Sequence, residues 1–227
     1  MVNNQNDLRW WLLSNLASVE SLPIIYRISV IVTFIVFIFL AFSPLIFPRT
    51  ATSKLQKFLW SNLIFITSLV TFILAARWPG FLPPMLNPDE ALFTAGALKL
   101  LKEPVFWRAV DTGSSGPLNV YPLTLPAFFG FRIEYASSRI LGLIMITAAI
   151  VCLYYALSIL YDKSLSRLAI VPVVTTVALM KESGYVHYTS EHFSIAILSV
   201  ALLIVCKYYT GISSTILLMP ILYKDGI

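Results

Sequence analysis

Charged residues are scarce in this chain. They make up 12% of its 227 residues, whereas hydrophobic residues make up 58%. A soluble domain carries about 25% charged residues. Because so little charge cannot cover a folded domain in water, the composition excludes an ordinary soluble protein and predicts a membrane protein. Each helix that crosses the hydrocarbon core needs about 20 apolar residues, so the length is best counted in such helices.

Cysteine is also scarce. Cys152 and Cys206 both lie inside apolar segments and provide neither a disulfide framework nor the spacing of a metal site. We interpret them as small buried apolar side chains. The net charge of +5 comes from scattered basic residues, several of which lie in short loops between apolar segments. We therefore expect no nucleic-acid partner.

Five segments are long enough to cross a membrane, or nearly so: residues 24–47, 58–76, 140–161, 168–180 and 193–208. The last three contain almost no ionisable residue. Ion-coupled pumps and transporters usually need such residues at mid-membrane. A small-solute transporter is therefore the least favoured class of function.

The two ends of the chain differ from this pattern. Residues 1–23 form a polar tail in which Leu8, Trp11, Leu12 and Leu16 recur at helical spacing. They indicate either an interfacial helix or an unstructured tail with a few apolar residues. A partial sixth span begins at Ile212, and we interpret it as the sign of a chain that stops early. Residues 24–227 are thus predicted to form one all-α membrane domain with about five transmembrane helices plus a partial sixth.

Basic residues mark alternate loops. They are Arg49, Lys54, Lys57, Lys163, Arg167 and Lys207. Since short cytoplasmic loops are enriched in Lys and Arg, these residues predict one cytoplasmic face. The long loop at residues 78–139 and the short one at 181–192 then share the opposite face. We expect surface-lying helices in the long outer loop.

The outer loop opens with "NPDEALFTAGALKLL", which contains the adjacent acids Asp89 and Glu90. A helix start explains most of this motif. Asn87 is a good N-cap, Pro88 suits the first helical position, and Glu90 lies where a capping box needs an acid. Asp89 near the positive end of the helix dipole is favourable as well.

A helical wheel raises a second interpretation. It separates an apolar face, with Phe93, Ala97, Leu100 and Leu101, from a polar one, with Thr94, Lys99 and Lys102. Both acids project beside the apolar face. Capping does not require Asp89, and a carboxylate that faces a half-dry cleft can serve as a general base.

Polar residues recur further along the outer loops. In "DTGSSGPLNVYPLTLP", Asp111, Ser114, Ser115 and Asn119 offer hydrogen bonds for sugar hydroxyls, or else cap their own turns. "PLTLPAFFGF" is predicted to be a second surface-lying segment.

The second outer loop, "KESGYVHYTSEHF", contains His187, Tyr188 and Glu191. If it is helical, His187 and Glu191 share a face, as a metal site or a His–carboxylate pair needs. Interfacial polarity explains the same residues.

With these motifs, the chain resembles the GT-C superfamily of multi-spanning glycosyltransferases, which use lipid-phosphate sugar donors. The segments "NPDEALFTAGALKLL" and "DTGSSGPLNVYPLTLP" carry the resemblance, which extends loosely from Trp78 to Tyr209. It is nearest to the protein O-mannosyltransferase and aminoarabinose-transferase branch. The resemblance implies an integral protein of the bacterial plasma membrane that acts on its non-cytoplasmic side.

The resemblance also implies roles for residues. Asp89 would deprotonate or orient the acceptor hydroxyl, and Glu90 would support it, in an inverting displacement of polyprenyl-phosphate. Basic residues would neutralise the departing phosphate, and the candidates are Arg108, Arg132, Arg139 and Lys181. Asp111, Asn119, His187, Tyr188 and Glu191 are the other candidates for substrate binding. No cofactor and no metal is expected, since the mannosyltransferase branch needs none.

Two departures from the family matter. Its members have about twice as many spans, and this chain has an additional span before the one that leads into the acidic loop. A catalytically inactive, truncated membrane protein or scaffold is therefore the alternative to a transferase.

Overall fold

A computed structural model describes residues 22–47, 54–83, 85–110, 115–180 and 187–222, and these residues contain helices and loops but no strand. The helices are α1 (Leu22–Ile46), α2 (Lys54–Leu59), α3 (Asn62–Arg77), α4 (Pro88–Leu100), α5 (Phe106–Ala109), α6 (Leu125–Phe128), α7 (Tyr135–Leu160), α8 (Lys163–Leu179) and α9 (Ser190–Leu222). Short 3₁₀ turns cover Trp78–Phe81, Pro117–Asn119 and Tyr121–Thr124. The predicted all-helical class is confirmed for these ranges. The predicted N-terminal interfacial helix lies outside them.

Within the described ranges, four helices are long and apolar enough to cross a membrane: Pro23–Ile46, Asn62–Phe81, Tyr135–Leu160 and Ser190–Tyr209. The chain is accordingly a multi-pass membrane protein. The fourth predicted span corresponds to α8, which has 17 residues. At 1.5 Å per residue it is about 26 Å long, somewhat short of a hydrocarbon core. It nevertheless packs against α1, α3 and α7 in the centre of the bundle.

Two predicted boundaries differ from the structure. The second span begins at Asn62 rather than residue 58, because the Ser61 side chain accepts a hydrogen bond from the Ile64 amide and caps α3. The fifth predicted span, residues 193–208, agrees with the candidate span Ser190–Tyr209, but the helix itself, α9, continues to Leu222 through the residues predicted to begin a partial sixth span. Gly211 is the only helix breaker at this point of the sequence. One glycine costs about 1 kcal/mol in a helix, which is too little to end it.

The core of the bundle lies between α1, α3, α7 and α8. Phe37 stacks on Phe65 and on Phe72, with ring centroids 5.8 and 5.7 Å apart, and Phe65 meets the ring of Tyr154. All four side chains are fully buried. The outward sides of α1 and α9 instead expose isoleucine, valine and leucine, as expected of surfaces that face lipid.

The long outer loop forms a second packed layer over the end of α7. Its cluster includes Phe93, Ala97, Leu100 and Val120, and it rests on the Leu141 side of α7. Four aromatic side chains project from this layer and are half or more exposed: Trp107, Phe128, Phe129 and Phe131. Exposed aromatic rings of this kind are typical of segments that lie in a membrane interface.

The helical wheel of α4 is wrong at two positions. Thr94 is buried, whereas Leu101 is 48% exposed. Thr94 tolerates burial because its hydroxyl donates to the Glu90 carbonyl at 2.7 Å and lies 3.4 Å from the Ser138 hydroxyl. Leu101 falls beyond the last helical residue, so the periodicity of α4 no longer determines its direction.

The expectation that Arg167 lies in a charged cytoplasmic loop is wrong as well. Arg167 belongs to α8 and is fully buried. Its guanidinium donates to the carbonyls of Leu40, Leu59 and Ser61 and to the Ser43 hydroxyl. It therefore joins α8 to the ends of α1 and α2 and to the start of α3. The positive-inside pattern misplaced it because that pattern counts charges near helix ends without asking which way they point.

Candidate functional site

Glu90 and Arg139 form a buried ion pair at the outer end of the bundle. Arg139 Nε donates to Glu90 Oε1 at 2.6 Å, and Nη2 donates to Oε2 at 2.7 Å. Neither side chain is exposed. Glu90 Oε2 also accepts a hydrogen bond from the Leu86 amide at 3.1 Å. The predicted capping box needed the Asn87 amide, and the Leu86 amide takes its place. The pair fastens the start of α4 to α7.

The same arginine holds the turn between α3 and α4. Arg139 Nη1 donates to the Gly80 carbonyl at 3.0 Å and to the Pro83 carbonyl at 2.8 Å. Glu90 therefore neutralises the charge of Arg139, and the guanidinium also donates hydrogen bonds to two backbone carbonyls. In this arrangement the two side chains link α4, α7 and the turn that precedes α4.

Asp89 lies next to Glu90 in sequence but on a different side of the helix. Its side chain is exposed. The Asn87 side chain accepts from the Asp89 amide at 2.9 Å, which satisfies the first turn without using the Asp89 carboxylate. The predicted placement of both acids beside the apolar face thus holds only for Glu90. Asp89 is an exposed carboxylate on a firmly held helix end.

The two outer segments contact each other through Tyr188. Its hydroxyl donates to the Asn119 carbonyl at 2.8 Å, and its ring meets Phe93 edge to face at 5.9 Å. Tyr188 is fully buried, and burial raises the pKa of its phenol above the ordinary value. It is consequently a neutral hydrogen-bond donor. The contact places both outer segments at one end of the bundle, while the side of the membrane stays a prediction.

His187 and Glu191 do not share a helical face, because α9 begins only at Ser190. His187 is buried, whereas Glu191 is exposed. The helix start uses His192 instead, whose Nδ1 accepts from the Thr189 amide at 3.0 Å. In the described ranges, no three His, Cys, Asp or Glu residues stand close enough to hold a metal ion.

The remaining basic candidates that the structure describes are exposed. Arg108 is exposed and forms an ion pair with Glu103 at 2.8 Å. Arg132 is exposed too. Asp111, Ser114 and Lys181 lie outside the described residues.

A cleft that the sequence did not predict opens beside the ion pair. Its volume is about 450 Å³, and it lies where α1, the end of α3 and the end of α8 meet. Tyr26, Arg77, Gly80, Leu86 and Met180 are among its lining residues. Arg77 was overlooked because it follows directly after an apolar run, as a flanking charge would. The adjoining Trp78 was the available signal of an interfacial site.

Comparisons of this chain with family models, curated proteins and solved structures found no match. Function is therefore inferred from the geometry of the residues themselves.

Proposed function

We propose that this protein is an inverting membrane glycosyltransferase that moves a sugar from a polyprenyl-phosphate-linked donor to a hydroxyl acceptor, with Asp89 as general base. The observation that carries the proposal is the different environment of the two acids in "NPDE". Glu90 is buried in its ion pair with Arg139, which holds α4 against α7. Asp89 is exposed at the start of α4, which that ion pair holds in place. A catalytic base needs this combination of access and a rigid support.

The proposed reaction needs few parts. The Asp89 carboxylate accepts the proton of the acceptor hydroxyl as its oxygen attacks the anomeric carbon from the face opposite the leaving group. The new glycosidic bond forms while the bond from the anomeric carbon to the phosphate oxygen breaks. The lipid phosphate leaves with that electron pair. A positioned base contributes roughly 10²- to 10⁴-fold to such a rate.

The surroundings of Asp89 support a lipid-linked donor. Leu86, three residues before Asp89, lines the cleft between α1, α3 and α8. Gly80 and Pro83, whose carbonyls bind Arg139, line it as well. One framework therefore positions both the carboxylate and an opening of suitable size for part of a ligand.

Sugar transfer from a radiolabelled polyprenyl-phosphate sugar, in membranes that contain this chain, tests the proposal. Asp89→Asn keeps nearly the same shape but cannot accept the proton. We expect it to abolish transfer at unchanged membrane abundance. Glu103→Gln, which alters an exposed acid of the same loop, is the matched control and should retain transfer.

Two results would count against this function. Equal, small losses in both variants would mean that Asp89 only favours the helix start. The absence of any transfer by the unaltered chain, with each donor tried, would favour the alternative of a non-catalytic membrane scaffold. The buried Glu90–Arg139 pair would serve that alternative equally well, since it stabilises the outer layer with or without chemistry.

A further inference from the structure

Arg77 presents an unused hydrogen-bond donor at the wall of the cleft. It is 6% exposed, and its Nε and Nη1 donate to the carbonyls of Val177 and Met180 at 2.6 and 2.8 Å. These two bonds satisfy carbonyls at the end of α8 that have no partner within their own helix. Nη2 is shielded from water and has no acceptor among the residues that the structure describes. Burial of a donor without a partner is unfavourable.

Among the residues that the structure describes, Arg77 also has no acidic counter-ion. The buried Arg139 has Glu90 as its counter-ion, whereas no carboxylate in the described ranges forms an ion pair with Arg77. Carbonyl dipoles at a helix end offset part of this charge. Burial of a charge without a counter-ion is unfavourable, so an anion would be stabilised at this position.

The depth of Arg77 in the membrane follows from its aromatic neighbours. Trp78 and Tyr26 pack edge to face with ring centroids 5.9 Å apart, and the Tyr26 hydroxyl donates to the Ala76 carbonyl at 3.1 Å. Trp and Tyr concentrate at the level of the lipid headgroups. Arg77 directly precedes Trp78 and lines the same cleft as Tyr26, so it is close to the phosphate level of one leaflet.

The walls of the cleft favour a ligand that is partly apolar. Leu86, Leu179 and Met180 line it and are 36%, 51% and 45% exposed. Ala178 and Pro79 add further apolar surface. A free inorganic anion would leave this surface uncovered, whereas a lipid would cover it with its acyl chains.

We propose that the cleft binds the phosphate headgroup of an anionic phospholipid. Nη2 of Arg77 donates to a phosphate oxygen, and the acyl chains lie along Leu179 and Met180. Because neighbouring atoms cover Nη2, the exposed side chains at the rim shift as the headgroup enters. The cleft is the one beside Asp89 that the proposed donor would enter, but phospholipid binding there requires neither an acceptor nor the Asp89 carboxylate.

Thermal unfolding of the purified chain in a neutral detergent tests this site. Phosphatidylglycerol, phosphatidylcholine and inorganic phosphate are titrated separately. We expect a saturable rise of about 5 °C in Tm with phosphatidylglycerol, and clearly smaller rises with the other two. Arg77→Gln should lower the phosphatidylglycerol response to that of phosphatidylcholine. Arg108→Gln removes an exposed arginine and should keep the full response.

Arg77→Gln loses its hydrogen bonds to α8 and could misfold for that reason. A second variant that keeps these bonds is therefore needed. Met180→Glu keeps Arg77 and the residue-180 carbonyl but brings a carboxylate to the rim, where it can pair with the guanidinium. It should abolish the phosphatidylglycerol response without lowering the lipid-free Tm. A full response in Met180→Glu would overturn the proposal. Equal responses to phosphatidylglycerol and inorganic phosphate would overturn it as a lipid site, and equal responses to both lipids would show only a general effect of lipid.

Discussion

Arg139 donates two hydrogen bonds to Glu90, one to each carboxylate oxygen. The two residues are 49 positions apart in sequence, and neither side chain is exposed. This pairing gives the two adjacent acids of "NPDE" different roles. Glu90 joins the outer layer to the bundle, and Asp89 is left as the acid that can meet a ligand. The consequences for stability and for chemistry can therefore be tested at separate residues.

Glu90→Gln should destabilise the protein by about 3–5 kcal/mol, because Arg139 would remain buried without its counter-ion. Thermal or denaturant unfolding of the purified chain in detergent measures this loss. Glu103→Gln breaks an exposed ion pair and should change stability by no more than about 1 kcal/mol. Similar losses in the two variants would show that the Glu90 pair contributes little.

The double variant Glu90→Gln, Arg139→Gln should be more stable than the sum of the two single losses predicts. Each single change leaves one buried charge alone, whereas the double change leaves none. A coupling free energy near zero in this cycle would contradict the pair as the main link between α4 and α7.

Tyr188→Phe should cost about 1 kcal/mol, since it removes the partly buried hydrogen bond to the Asn119 carbonyl. Tyr121→Phe is the matched control. Its hydroxyl donates to the Pro104 carbonyl at 2.6 Å, but the bond is exposed to solvent and its loss should matter less. Unfolding of both variants under the same conditions decides the comparison.

Stability should decline above about pH 10, where the unfolded chain begins to release tyrosine protons. The raised pKa of Tyr188 keeps its proton bound in the folded state at that pH. Since the folded state then holds a proton that the unfolded state has lost, rising pH favours unfolding. Tyr188→Phe should decline less steeply between pH 10 and 11. An unchanged slope would mean that Tyr188 does not contribute.

Arg167→Lys should destabilise by about 2–3 kcal/mol. One ammonium group cannot replace a planar guanidinium that contacts three carbonyls, one hydroxyl and the Phe65 ring. Arg108→Lys, at an exposed site, should be close to neutral. Equal unfolding temperatures for the two variants would refute the idea that Arg167 fastens α8.

Single cysteines, introduced into a variant that lacks Cys152 and Cys206, should show which residues lie at each end of the helical bundle. Cysteines at the exposed positions Leu118 and Glu191 lie near the Tyr188 contact and should react together with an impermeant thiol reagent in intact cells. A cysteine at Tyr161, at the other end of α7, should react only after the membrane is opened. Labelling of Leu118→Cys without Glu191→Cys would contradict a shared outer face.

The sequence predicted the features that depend on local order. Low charge and long apolar runs indicated membrane helices, and Asn87 with Pro88 indicated the start of α4. The pairing of Glu90 with Arg139 could not be derived in the same way, because two separate elements must first pack together. The same holds for Arg77 and Arg167, which face inward to carbonyls at the ends of other helices. In the sequence, both look like the charges that ordinarily flank a span.

Local reasoning also fails where a helix boundary moves. His187 and Glu191 are four residues apart, but the helix that would align them starts between them, at Ser190. Thr189 and His192 form that start through a bond between side chain and amide, which the spacing alone did not distinguish from a metal site.

The contact between Arg77 and α8 has a consequence for biosynthesis. The two partners of its shortest bond, Arg77 and Val177, are 100 residues apart. At about 5–20 residues per second, α3 leaves the ribosome some 5–20 s before α8 does. Throughout that interval a charged side chain must stand near a hydrocarbon boundary without its final partners. The insertion machinery, water or lipid headgroups must accommodate it until α8 has been synthesised and the contact can form.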